Sequence, residues 1–149
     1  MTAAPVAVIH TDGGKRGKGS RGPAACSYVI DSPTFGRTAQ VSHMPDATVN
    51  EAEYTGLINA LRCAQRMGEK RVSCLLDSKL VVEQALGNWA IKEPRLQILS
   101  GELAGLAQQF DFIEIAHVPR ALNKDADELC TKMLDLITGK ARTPTKERQ

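Results

Sequence analysis

The chain has 149 residues, of which 42% are hydrophobic and 24% are charged, the size and composition of one folded domain. It contains no apolar run long enough to span a membrane, and its first residues lack the pattern of a signal peptide, so we expect a cytoplasmic protein. The net charge is only +2, but the glycine-rich segment 13–22 carries four basic residues and no acid. That segment indicates a phosphate-bearing partner, whereas we expect the basic tail 138–149 to be a flexible extension.

The order of secondary-structure elements follows from local patterns. Apolar or alternating runs predict five strands, at 6–11, 24–31, 36–42, 72–76 and 110–118. Helical spacing and start signals predict four helices, at 48–68, 78–86, 95–109 and 123–137. Short connections between the first three strands predict an antiparallel meander, and the later strands alternate with helices. The sequence therefore predicts an α/β fold with one five-stranded mixed sheet, three antiparallel strands and then parallel ones, flanked by helices.

The first helix begins at a capping box. Thr48 can cap the third helical amide, and Glu51, three residues on, can reach back to the amide of Thr48. Two later helices have similar start signals, with Ser78 and Asn123 as the expected capping residues.

Four acids stand at the predicted boundaries of elements: Asp12, Glu53, Asp77 and Asp127. We expect Asp12 and Asp77 to end apolar strands, where sites gather in α/β sheets. Each acid alone is better explained as a turn former or as a partner of a helix dipole. Four converging carboxylates would repel one another, however, and Mg²⁺ prefers oxygen ligands, so their joint placement predicts a metal-dependent hydrolytic site.

Two other chemistries are disfavoured. The four cysteines form no CxxC pair and no zinc-type cluster, which predicts reduced, buried thiols: Cys26, Cys63, Cys74 and Cys130. The glycines at 17, 19 and 22 match GxGxxG, but a strand rather than a helix follows them, so no nucleotide cofactor is expected.

Four motifs, taken together, resemble those of ribonuclease H type 1 over about residues 6–137. They are Thr11-Asp12-Gly13-Gly14, Thr48-Val49-Asn50-Glu51-Ala52-Glu53-Tyr54, Leu76-Asp77-Ser78, and His117-Val118-Pro119-Arg120 with Asn123 and Ala126-Asp127 following. The resemblance implies a ribonuclease H domain over 1–137, with the tail outside it. It also selects Glu53 rather than Glu51, and Asp127 rather than Asp125, as metal-binding carboxylates.

The resemblance further implies an activity. An endoribonuclease of this family hydrolyses the RNA strand of RNA/DNA hybrids with two Mg²⁺ ions, for which Mn²⁺ can substitute, and leaves 5′-phosphate and 3′-hydroxyl ends. Asp12, Glu53, Asp77 and Asp127 would be catalytic as metal ligands. We expect a monomer whose partner is the hybrid. Two alternatives remain: a nuclease of the same fold that cuts DNA, and a non-catalytic module that binds hybrid or double-stranded RNA.

The resemblance assigns further residues. Substrate contacts are implied for six positions: Gly13, Gly14, Thr48, Asn50, Ser78 and Asn123. His117 matches a mobile catalytic histidine, but an ordinary histidine at the end of a strand is an equally good interpretation. The chain lacks the basic protrusion of some bacterial members. Four residues of the glycine-rich segment are candidates to replace it: Lys15, Arg16, Lys18 and Arg21.

Overall fold

The computed structural model describes residues 5–139, so residues 140–149 of the predicted tail lie outside it. Five strands are present: β1 (Ala7–Lys15), β2 (Gly22–Ser32), β3 (Gly36–Ala47), β4 (Arg71–Leu76) and β5 (Phe112–His117). Four α-helices accompany them: α1 (Val49–Arg66), α2 (Lys79–Ala85), α3 (Pro94–Ala107) and α4 (Lys124–Ile137). A short 3-10 turn, Arg120–Leu122, precedes α4.

The strands form one sheet of order β3-β2-β1-β4-β5. β1, β2 and β3 pair antiparallel, whereas β4 pairs parallel to β1 and to β5. The predicted mixed sheet is therefore confirmed, with β1 at its centre. β1 pairs antiparallel with one neighbour and parallel with the other. Where one of these neighbours ends, that side of β1 is left unpaired.

The buried apolar residues form three clusters, and the sheet separates the two that include the long helices α1 and α4. The larger lies between the sheet and α1–α3 and includes Ile9, Ile30, Leu57 and Leu61, all fully buried. Ala25 points to the opposite face, because successive strand residues alternate, and packs there against Cys130 and Leu134 of α4. The helices that carry Glu53 and Asp127 thus lie on opposite faces of the sheet.

Local signals hold in most places. The Thr48 hydroxyl accepts from the Glu51 amide at 3.1 Å, and the Glu51 carboxylate accepts from the Thr48 amide at 2.9 Å, which confirms the capping box. The element after the glycine-rich segment is a strand, as predicted. All four cysteines are free and buried. Within residues 5–139, no helix is both long and apolar enough to cross a bilayer.

Two strands, β1 and β3, continue well beyond their predicted ends, and the other strand boundaries shift by one or two residues. β1 continues through Asp12 to Lys15, and β3 continues to Ala47. The added residues stay paired to β2, with Asp12 opposite Ser27 and Ala47 opposite Gly22. Backbone pairing with β2, rather than an apolar pattern in the added residues, extends both strands, so Asp12 lies within β1 and does not end it.

Candidate active site

Three of the four predicted carboxylates converge. Asp12, Glu53 and Asp77 each offer an oxygen, and these oxygens lie within 4.8 Å of one another. The pairing of β1 with β4 ends at Thr11 and Leu76, so Asp12 and Asp77 are the next residue on each strand. The two acids therefore flank the point where β1 and β4 separate, a position at which side chains of both strands can meet.

Glu53 reaches this point because α1 packs unusually close to β1. A Cβ atom at Gly13 would lie 2.5 Å from both the Ala52 carbonyl carbon and the Glu53 nitrogen. A Cβ atom at Gly56 would lie 2.9 Å from the Asp12 carbonyl oxygen. With hydrogen at both positions, the helix backbone rests on the strand, and the Gly13 amide donates a hydrogen bond to Glu53 Oε1.

The fourth carboxylate, Asp127, approaches from the other face of the sheet. It lies in the first turn of α4, and its carboxyl is close enough to that of Asp12 to raise the pKa of Asp12. It is not part of the tight group of three, and its side chain is half-buried. The site is thus three close carboxylates with a fourth at their rim.

The neighbouring acids have other partners. Glu51 accepts from Thr48 in the capping box and from Arg21 Nη1 at 2.9 Å, and Arg95 Nη1 lies 3.5 Å away. Asp125 is exposed and pairs with Arg37 at 2.7 Å. These contacts support the choice of Glu53 and Asp127 over their neighbours.

Burial and mutual repulsion disturb the ionisation of the group. Burial, followed by the charge of Asp77, raises the pKa of Asp12 to about 7. Burial, followed by the charge of Asp12, raises the pKa of Glu53 to about 9. The protein alone therefore does not hold all of these carboxylates ionised at neutral pH, whereas a bound cation would.

The donor set fits a hard divalent ion. Asp77 Oδ2 is buried and has no hydrogen-bond partner, and the guanidinium of Arg120 approaches it only to 3.8 Å from a largely exposed position. Carboxylate oxygens without other partners are the ligands that Mg²⁺ and Mn²⁺ prefer. The residues present therefore suit such an ion.

A groove of about 710 Å³ adjoins α1 at its N-terminus. Thr48 and Asn50, two of the predicted substrate contacts, line it, with Lys15 and Lys92 among the other lining residues. Ser78 lies directly after Asp77, and its hydroxyl caps α2 by accepting from the Val81 amide at 3.3 Å. The charge of the groove is mixed with a small basic excess, since Lys15, Arg21 and Lys92 line it together with Glu51 and Glu93.

The basic segment is less free than its sequence indicates. Arg16 Nη1 pairs with Asp135 at 2.9 Å, and Arg21 pairs with Glu51 and with Asp46. Lys15 lines the groove and donates to the Gly17 carbonyl at 2.8 Å. Two of the four predicted basic residues thus fasten the segment to the fold.

Two further predicted site residues, His117 and Asn123, differ in their surroundings. His117 is the last residue of β5, is exposed, and lies opposite Leu76, which places it beside Asp77. This position suits both interpretations of His117, so its catalytic role stays a prediction. Asn123 is only 1% exposed, and its amide nitrogen donates to the Thr11 carbonyl at 2.8 Å. The structure contradicts the predicted side-chain cap, because Asn123 links α4 to β1 instead, whereas its contact with substrate stays a prediction.

Sequence reasoning missed two residues beside the site. Ser27 is buried opposite Asp12 and bonds to α4, and Arg120 is the nearest cation to Asp77 among the described residues. Nothing local distinguishes Ser27, since its partner is 99 residues away. Arg120 stands in the last of the four motifs, which assigned it no role.

The sheet order, the helices on both faces and the carboxylates at the β1–β4 junction define a ribonuclease H-like fold with an acidic centre. A family model described as reverse transcriptase-like matches residues 11–133. Ribonuclease HI of Halobacterium salinarum is 36% identical over 87% of this chain and 69% of its own length. The chain therefore belongs to the ribonuclease H family of enzymes, as its motifs predicted.

Solved structures agree with this assignment. The N-terminal RNase H domain of Rv2228c from Mycobacterium tuberculosis superposes with a TM-score of 0.84 at 38% identity, over 91% of this chain and 98% of that one. RNase H1 of Halobacterium salinarum has a TM-score of 0.81 at 36% identity, over 88% and 98%. LC11-RNase H1, solved with an RNA/DNA hybrid, has a TM-score of 0.79 at 32% identity, over 89% and 99%. The full-length mycobacterial protein is 41% identical over 86% of this chain, which spans only 35% of that relative.

Proposed function

We propose that this chain is a metal-dependent endoribonuclease that cuts the RNA strand of RNA/DNA hybrids. The observation that carries the proposal is the convergence of Asp12, Glu53 and Asp77 within 4.8 Å, buried enough to raise the pKa of two of them. Such a group is costly without a cation and well suited to hold one. The hybrid as substrate is supported by LC11-RNase H1, a relative solved in complex with one.

The proposed metal is Mg²⁺, as two ions with Mn²⁺ able to substitute, held by Asp12, Glu53, Asp77 and Asp127. Bound there, the metal would activate water for attack on a phosphodiester and stabilise the leaving oxygen, which gives 5′-phosphate and 3′-hydroxyl ends. The protein's contribution is orientation: the Gly13 amide directs the Glu53 carboxylate, and burial keeps competing water away. One chain supplies all four carboxylates, so a monomer suffices.

We propose that the hybrid binds in the groove beside α1. Thr48 and Asn50 face it and would contact the nucleic-acid backbone, with Gly13, Gly14 and Ser78 nearer the carboxylates. Hybrid is distinguished from other duplexes mainly by groove shape and by the 2′-hydroxyls of one strand, which suits contacts from small polar side chains. His117, exposed beside Asp77, would assist proton transfer or product release.

A direct test uses labelled RNA/DNA hybrid, double-stranded RNA and double-stranded DNA, each with Mg²⁺, with Mn²⁺ and with chelator. We expect metal-dependent cutting of the hybrid's RNA strand. An Asp12→Asn variant should bind hybrid without cutting it, and the matched control Asp125→Asn should cut normally, because Asp125 lies outside the acidic centre. Cutting of DNA, or hybrid binding without cutting by the unaltered protein, would replace the proposal with one of the two alternatives.

A further inference from the structure

Asp127 is the carboxylate whose position the rest of the site secures least directly. Asp12 and Asp77 leave adjacent strands of one sheet, and Glu53 is held by the Gly13 amide. Asp127 instead belongs to α4, which packs on the opposite face from α1. Its carboxyl lies near that of Asp12, and two ionised carboxylates there would repel each other and push the first turn of α4 away from the sheet. Some other interaction has to hold that turn in place.

The N-terminus of α4 lacks the side-chain capping hydrogen bond that commonly stabilises the start of a helix. Asn123 occupies the position before the first helical residue, but its side chain makes no capping hydrogen bond. The side-chain nitrogen of Asn123, Nδ2, donates instead to the Thr11 carbonyl, at 2.8 Å. Thr11 directly precedes Asp12, so this bond joins the start of α4 to the strand residue beside the first carboxylate.

A second buried bond acts one residue before Asp127. The Ser27 hydroxyl donates to the Ala126 carbonyl at 2.6 Å and lies 3.3 Å from the Cys130 thiol, which donates to it. Ser27 is 1% exposed and is the cross-strand partner of Asp12. The two bonds thus tie the first turn of α4 to β1, which carries Asp12, and to the neighbouring strand β2.

We propose that Ser27 and Asn123 are positioning residues that hold the first turn of α4 so that Asp127 meets the other three carboxylates. The proposal rests on the proposed function, because it takes Asp127 to be a metal ligand. Mg²⁺ tolerates little deviation from octahedral geometry, so a small retreat of the turn would weaken metal binding before it unfolds the protein. Residues that orient ligands in this way commonly change metal affinity about tenfold or more when they are replaced.

The test compares Ser27→Ala with Ser32→Ala in the full chain. Ser32 is the last residue of β2 and is buried. Its hydroxyl donates to Glu69 and accepts from the amides of Thr34 and Phe35, and it bonds to none of the four site carboxylates. Mn²⁺ affinity is measured by calorimetry without nucleic acid, alongside the Mg²⁺ concentration for half-maximal cutting of hybrid. We expect Ser27→Ala to weaken both about tenfold. Ser32→Ala should lower the melting temperature but leave both metal measurements unchanged.

A double-mutant cycle shows whether Ser27 acts through Asp127. In an Asp127→Asn background, Ser27→Ala should cause no further loss of Mn²⁺ affinity. An equal loss in both backgrounds, or no loss in either, would overturn the proposal. If Ser27→Ala does not fold, Asn123→Ala takes its place with the same expectation, and unchanged metal affinity there is equally contrary. A wild-type protein that binds no Mn²⁺ and cuts no hybrid would instead remove the proposed function itself.

Discussion

Replacing Asp12 by asparagine should stabilise the metal-free protein, although it should abolish cutting. The pKa of Asp12 rises from 3.8 to about 7 in the folded protein. The folded state therefore binds this proton more tightly than the unfolded state, and stability is lost as the pH rises from about 4 to above 7. At about 1.4 kcal/mol per pKa unit, ionised Asp12 costs the metal-free fold up to about 4 kcal/mol at pH 8.

Asparagine recovers only part of that cost, because its amide is itself a polar group that burial removes from water. We therefore expect Asp12→Asn to raise the free energy of unfolding by about 1–3 kcal/mol, or the melting temperature by about 3–9 °C. The gain should shrink toward pH 4, where Asp12 is protonated in the folded wild type and only partly ionised in the unfolded state.

The assay is thermal unfolding in chelator at pH 4.5 and pH 8, with Asp125→Asn as the matched control. Asp125 is exposed and paired with Arg37, so its replacement should change stability by about 0.5 kcal/mol or less. Added Mg²⁺ should raise the melting temperature of the wild type more than that of Asp12→Asn. An Asp12→Asn protein no more stable than the wild type at pH 8 would refute the reasoning that these carboxylates repel one another.

Three further predictions concern the surroundings of the site. Glu51→Ala should lower the free energy of unfolding, measured in urea, by about 1–3 kcal/mol, because it removes half of a capping box and leaves Arg21 without its buried partner. Glu51→Gln should lower it less, and equal losses for the two variants would contradict this. Gly13→Ala should abolish cutting and lower the melting temperature, because its Cβ would meet the α1 backbone at 2.5 Å, whereas Gly101→Ala in α3 meets nothing within 4 Å and should be neutral or stabilising by about 1 kcal/mol. Changing Lys15 and Lys92 together to alanine should weaken hybrid binding, measured by fluorescence anisotropy, and make the affinity less dependent on salt concentration. An unchanged salt dependence would contradict binding of the hybrid in this groove.

The parts of the fold that sequence predicted well depend on nearby residues. The start of α1 followed from the spacing of Thr48 and Glu51, and the placement of Asp77 followed from the apolar run of β4. Both signals act within a few residues, so no knowledge of the rest of the chain was needed. Local signals did not distinguish Glu53 from Glu51 or Asp127 from Asp125, and the resemblance of the motifs made that choice.

The parts that sequence reasoning missed depend on distant partners. β1 extends to Lys15 because β2 lies alongside it, and nothing in the run from Gly13 to Lys15 has a strand pattern. Asn123 has the residue type of a helix cap, yet it bonds to a carbonyl 112 positions earlier in the chain. Arg16 and Arg21 looked like free cations until the fold brought Asp135 and Glu51 to them. Pairing between remote residues decided each of these outcomes.

The central claim is that the acidic centre holds divalent metal for cutting RNA in a hybrid, and the most direct measurement is to map the products. A hybrid with a labelled RNA strand is incubated with the protein and Mg²⁺, with Mn²⁺ or with chelator. We predict RNA fragments with 5′-phosphate and 3′-hydroxyl ends with either metal, an intact DNA strand, and no fragments in chelator. Fragments that form equally in chelator, or an intact RNA strand with both metals, would contradict the account.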